Sequence, residues 1–151
     1  MTEKQETIIE FINGNQKKID ALMNKLTPEN SMFRISPESA TAGFYMRHIG
    51  EAMHSIANMG FQSGMSFQPQ TLRQPADPGH AFDLSETKQF VDSGFDLLRK
   101  IVNERPNSEI DIVFSSPFGD QTLLSMMSFT LNHNSHHAGQ IELTIKKGKV
   151  Y

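Results

Sequence analysis

The stretch from Gln121 to Lys147 holds helical period without a single proline. Met126, Thr130, His133, His137 and Ile141 fall on one line of it, flanked by Leu123, Met127 and Leu131. One face of the expected helix is therefore apolar, and two histidines sit in the middle of that face. Asp120 is the expected N-cap, Lys146 and Lys147 load the last turn, and Gly148 is the expected stop. A long amphipathic helix of this kind must find other helices to cover its stripe.

Three further segments have the same period. From about Glu3 to Leu26, Ile8, Phe11, Ile12, Ile19, Leu22, Met23 and Leu26 recur at helical spacing. Thr2 with Gln5 makes a capping box before them, and Thr27-Pro28 stops the run. A second helix is expected with Ser36 as N-cap, Pro37 at its first position and Glu38 in its first turn. Tyr45, Ile49, Ala52, Met53, Ile56 and Met59 trace its face, His48 stands on the edge of that stripe, and Gly60 is the expected end. The third opens at Asp83 or Ser85, with Asp83 and Glu86 spaced as a capping box. It buries Phe90, Val91, Leu97, Leu98, Ile101 and Val102, and Asn103 to Pro106 close it.

Between the second and third helices, Gly60, Gly64, Pro69, Pro75, Pro78 and Gly79 break any period. So long a connection is uncommon in a small domain. It reads as an ordered excursion anchored by Phe61, Met65, Phe67 and Phe82 over one end of the molecule. Ile110-Asp111-Ile112-Val113-Phe114 is β-rich, and Ser115 to Gly119 supplies turn chemistry, so a short strand or hairpin is expected there. Four helices of roughly 20 residues, about 30 Å each, make an all-α four-helix bundle the economical architecture. At 151 residues the chain is expected to form one such domain over 1–151.

Bulk composition narrows the chemistry. A formal charge of −3 with basic residues scattered, apart from Lys146, Lys147 and Lys149, argues against nucleic acid held on a basic face. The absence of cysteine excludes disulfides, thiolate ligands and a cysteine nucleophile. No run approaches the roughly 18–20 apolar residues of a membrane span, and the acidic N-terminus is unlike a secretory signal. No membrane partner is expected, and a cytoplasmic location is.

Three of the six histidines lie within residues 133–137. His133 and His137, four apart on a helix, project one turn apart from one face. With His48 on a neighbouring helix, three imidazoles could converge on one ion and leave positions open for water or substrate. Imidazole suits zinc, nickel, iron and copper alike. Spacing alone also fits a plainer reading, two partly buried histidines with hydrogen-bond partners. Asn134 follows His133, so the glutamate base of an H-E-x-x-H protease is missing. His136 is expected to face away, His54 to lie off the face of His48, and His80 to sit in the long connection. Glu51, one turn beyond His48, reads as a solvated helix residue, or as a proton acceptor or outer partner of the site. Gln140, one turn beyond His137, reads as a ligand orienter or a local hydrogen bonder.

The order of these elements, with Arg47-His48-Ile49 followed far downstream by Asn132-His133…His137-Ala138-Gly139-Gln140-Ile141, resembles the DinB/YfiT-like superfamily over nearly the whole chain. The resemblance implies a four-helix bundle holding a divalent metal, commonly zinc or nickel, through His48, His133 and His137, with water completing the shell. It implies a metal-dependent activity of the thiol S-transferase or hydrolase type, in which the ion activates a small thiol cosubstrate or water, and often a homodimer. It leaves open a non-catalytic metal- or ligand-binding bundle acting in stress response, and no catalytic residue beyond the ligands is implied. Ala138 departs from the pattern, in which an arginine is common at this place.

Overall fold

The computed structural model describes residues 1–64, 66–72, 77, 79–105, 109–116 and 119–151. Four helices account for most of them: α1 (Glu3–Met23), α2 (Ala42–Phe61), α3 (Leu84–Glu104) and α4 (Leu123–Lys147). Before α4 lies a small antiparallel pair, β1 (Phe114–Ser116) and β2 (Gly119–Gln121), with Phe114 opposite Gln121 and Ser116 opposite Gly119. The expected all-α four-helix bundle is what the chain forms. Among the described residues, no helix is long and apolar enough to cross a membrane.

Each of α2 and α1 packs chiefly against α3 and α4, so the helices run α1–α3–α2–α4 around the bundle. Their stripes meet in one core that includes Ile12, Ile19, Met46, Ile49, Met53, Phe95, Leu98, Met127 and Ile141. The α2–α3 seam is tight because two glycines let it close. A Cβ at Gly50 would stand 2.8 Å from the Phe90 ring, and one at Gly94 would stand 2.8 Å from the end of Met53. Gln5 does double duty: it completes the Thr2 capping box, and its Nε2 donates to the carbonyls of Val102 and Arg105 at the end of α3.

Several helix ends differ from the sequence expectation. α2 starts at Ala42, capped by Thr41, whose hydroxyl accepts from Phe44 N at 3.1 Å. Ser36, Pro37 and Glu38 lie before it in a local turn, closed by Ser39 Oγ, which accepts from the amides of Ile35 and Ser36. Thr41 wins the cap because its own amide is taken by the buried carboxylate of Asp77 at 2.8 Å, a contact no local pattern shows. The helix runs through Gly60 to Phe61, and Gln62 takes the left-handed turn at φ 52°. α1 ends at Met23, short of Leu26, which is buried all the same.

At α4 the cap is Thr122, not Asp120, because Asp120 is committed to β2 opposite Ser115. Gly148 ends the helix as expected, by close approach: a Cβ there would lie 2.8 Å from the Arg34 carbonyl, to which Lys149 N donates. The hairpin begins where the expected strand ends. Ile110 is buried in the core, Ile112 and Val113 are exposed, and only Phe114 of that run joins β1. Asp83 caps α3 by accepting from Glu86 N at 2.7 Å, while the Glu86 carboxylate turns to Arg47.

The connection from α2 to α3 is draped as expected where it is described. Phe61 packs on the core, Phe67 meets the rings of His54 and Phe90, and Phe82 meets Phe44. Met65, Pro75, Pro78, Pro106 and Pro117 lie outside the described residues.

Candidate metal centre

The α2–α4 seam brings together the three histidines that the sequence singled out. His48 comes from the early turns of α2, His133 and His137 from the middle of α4. One ligand atom from each lies within 4.8 Å of the other two. The Nε2 atoms of His133 and His137 are 3.2 Å apart, close to the about 3.3 Å edge of a tetrahedron with metal–nitrogen bonds of about 2.0–2.1 Å. All three rings are half-buried. Phe44 stacks on His48 at 6.3 Å and Tyr45 on His137 at 5.6 Å, so aromatic neighbours brace two of the imidazoles.

The hydrogen bonds decide which nitrogens carry protons. Glu51 is fully buried, and its carboxylate accepts from Arg47 Nε at 3.1 Å, Gln70 N at 3.0 Å, Thr71 N at 2.8 Å and Thr71 Oγ1 at 2.7 Å. The single hydroxyl hydrogen of Thr71 therefore goes to Glu51, and its oxygen is left to accept. His48 Nδ1, 3.2 Å away, is the donor, which leaves Nε2 bare. His137 Nδ1 likewise donates to Gln140 Oε1 at 2.5 Å, and its Nε2 is bare. Partners on the outer nitrogen fix the tautomer of metal-ligating histidines in general.

His133 is the ring left unsettled. Among the described residues the buried side-chain polar atoms without a hydrogen-bond partner are His133 Nδ1 and Asn134 Oδ1. If His133 donates through Nε2 to His137, its Nδ1 lone pair is stranded; if Nδ1 holds the proton, two lone pairs face each other across 3.2 Å. A cation between the rings removes that conflict. The donor set, neutral imidazoles with bare nitrogens turned inward, fits a divalent ion.

Electrostatics keep the rings in the ligand form. Burial, then the neighbouring imidazole, pushes each pKa down from 6.5 to about 4: His137 acts on His48, His48 on His133, and His133 on His137. Unfolded, the same rings would titrate near 6.5. Between pH 6.5 and 4 the unfolded chain thus binds protons that the folded chain does not, and stability rises with pH across that window. This contribution is complete above pH 6.5 and is lost as pH falls toward 4, at about 1.4 kcal/mol per pH unit for each proton. The metal-free protein is expected to unfold at lower urea at pH 4.5 than at pH 7, and His133→Ala to flatten that slope. A urea midpoint constant over this range would show that the rings are not held neutral.

The other histidines stay outside. His136 is exposed, although its ring lies 5.1 Å from that of His137. His54 stacks on Phe90 and bonds Ser93 Oγ at 3.0 Å. His80 meets Phe82 edge-on at 6.4 Å. Glu51 is buried rather than solvated, and it reaches the site through Thr71. Thr71 itself was not singled out by the sequence, because a lone threonine in an aperiodic connection carries no signal. Ala138 is fully buried in the core. A groove of about 650 Å³ between α1 and α4, lined by Phe11, Gly14, Leu124 and Leu131, does not include the histidines.

No match was found among curated proteins or among solved structures. The model of one family, the DinB superfamily, matches residues 12–141. That span covers most of the bundle and all three histidines, and the chain belongs to the DinB superfamily.

Proposed function

We propose that the protein is a metal-dependent enzyme in which His48, His133 and His137 hold one divalent ion, zinc or nickel, for chemistry on a small molecule. The observation that supports this most is the inward turn of three neutral imidazoles whose outer nitrogens are committed, in two cases, to Thr71 and Gln140. A divalent ion held there supplies Lewis acidity, which acidifies a thiol or a water near neutral pH. The chain contributes no thiol of its own, so the nucleophile comes from outside: a low-molecular-weight thiol in a reaction of the S-transferase type, or equally water in a hydrolysis. Three ligands leave room for an exogenous group, as catalytic zinc sites do. A thiol cosubstrate goes with a reducing, cytoplasmic setting.

The protein's own part is positioning. Phe44 and Tyr45 limit rotation of His48 and His137, and Thr71 and Gln140 hold their tautomers. Glu51 has both oxygens engaged by donors and serves as an outer support rather than as a base.

Protein purified without chelators is expected to carry about one zinc or nickel per chain, and His133→Ala none. The loaded protein is then assayed with several small thiols and a bimane or dinitrobenzene electrophile, where turnover should require both metal and thiol. Equal metal in wild type and variant would remove the site. Stoichiometric metal with no turnover for any thiol or ester would favour a metal-binding bundle without catalysis.

A further inference from the structure

The buried carboxylate of Glu51 binds two things at once: the segment 66–72 and, through one hydroxyl, an imidazole of the metal centre. Gln70 N and Thr71 N donate to it, Thr71 Oγ1 donates to it at 2.7 Å, and the same oxygen accepts from His48 Nδ1 at 3.2 Å. Thr71 is 4% exposed and Glu51 is 0% exposed, so neither has water as an alternative partner. A hydroxyl that gives its hydrogen to a carboxylate becomes a better acceptor for the next donor in the chain.

We propose that Thr71 is a positioning residue for the three-histidine centre: its hydroxyl, oriented by Glu51, holds His48 with the proton on Nδ1 and Nε2 toward His133 and His137. The inference rests on the divalent-metal reading of that centre and adds a residue from outside the helices to it. It also links the site to the connection between α2 and α3. Leu72 packs on Ala52 and Ile56, and Phe67 lies against Phe90, so these contacts seat the segment where the hydroxyl meets the imidazole.

The hydroxyl can be removed without changing the side chain's shape. Thr71→Val keeps the branched volume and loses the relay; Thr71→Ser keeps the relay and loses a methyl group. Zinc affinity is measured by competition with a chromophoric chelator at pH 7.5. Thr71→Val is expected to bind zinc about 10–100-fold more weakly, the usual effect of losing an outer partner of a ligand, and Thr71→Ser to recover wild-type affinity to within a few-fold. A purely structural role would move both variants in step with their folding stability, measured in parallel by urea unfolding of the metal-free proteins. Nitrogen-15 NMR of the metal-free wild type supplies the second readout: His48 should appear as the Nδ1–H tautomer, and Thr71→Val should mix the two tautomers. Equal zinc affinity in wild type and Thr71→Val, a Ser variant as weak as Val, or a His48 that is Nε2–H in wild type would each overturn the proposal. If wild type binds neither zinc nor nickel in the same competition, the metal reading fails with it, and the tautomer result separates that case from a failure of the relay alone.

Discussion

Glu51→Leu is expected to lower folding stability by about 3–5 kcal/mol, the scale of breaking a buried ion pair by removing one partner. The loss has two sources. The Arg47 guanidinium, 5% exposed, would be left inside the protein with Phe90 beneath it at 4.2 Å and the largely exposed Glu86 as its remaining counter-charge among the described residues. The amides of Gln70 and Thr71 would lose their acceptor in the same step, and for the buried Thr71 amide an unsatisfied donor costs about 1–3 kcal/mol. Glu51→Gln should fall between the two, because an amide oxygen still accepts. Urea unfolding at pH 7.5 measures all three proteins. A loss below about 1 kcal/mol for Glu51→Leu would mean that the carboxylate is not holding the segment.

Loading the proposed site with metal should produce the second large effect, with the opposite sign. An ion that binds only the folded chain stabilises it by about 4.1 kcal/mol when its free concentration is about 1,000 times Kd. For a chain of this size that corresponds to a rise in Tm of about 8–16 °C. His133→Ala and His137→Ala should abolish the rise. Because each removes a half-buried polar ring from an apolar seam, neither is expected to destabilise the metal-free protein as much as Glu51→Leu does. A thermal shift that survives both substitutions would place the ion elsewhere on the surface. A shift present in wild type at pH 7.5 and absent at pH 4 would accord with ligands that must be neutral to bind.

The helices and the histidine cluster were legible in the sequence for the same reason. Period is a local property, and Met126, Thr130, His133, His137 and Ile141 declare one face of α4 without reference to anything distant. The same holds for the Thr2–Gln5 and Asp83 caps. What stayed hidden depends on contacts between residues far apart. Thr41 displaces Ser36 as the α2 cap because Asp77 holds its amide, and nothing near either residue indicates the pairing. Glu51 looks like a solvated residue from its neighbours in sequence, yet it is fully buried and engaged by Arg47 and segment 66–72. Thr71 has no pattern around it at all; its role exists only once a carboxylate on α2 has fixed where its hydroxyl hydrogen points. The strand was misplaced for a different reason. Ile110, Ile112 and Val113 have strand propensity, but Ile110 is taken by the bundle core, and the pairing was left to Phe114–Ser116.

The origin of the three imidazoles from α2 and α4 alone has a kinetic consequence. The two helices meet across the whole of α3 and the segments on either side of it. The loop that must close before His48 can reach His133 is therefore the longest cost in building the site. In a chain whose last helix has not docked, His48 is apart from His133 and His137, and the three imidazoles cannot converge. In the proposed site, three-histidine binding requires α4 to be docked on α2, so the rate at which bound metal becomes resistant to a competing chelator would report the docking of α4.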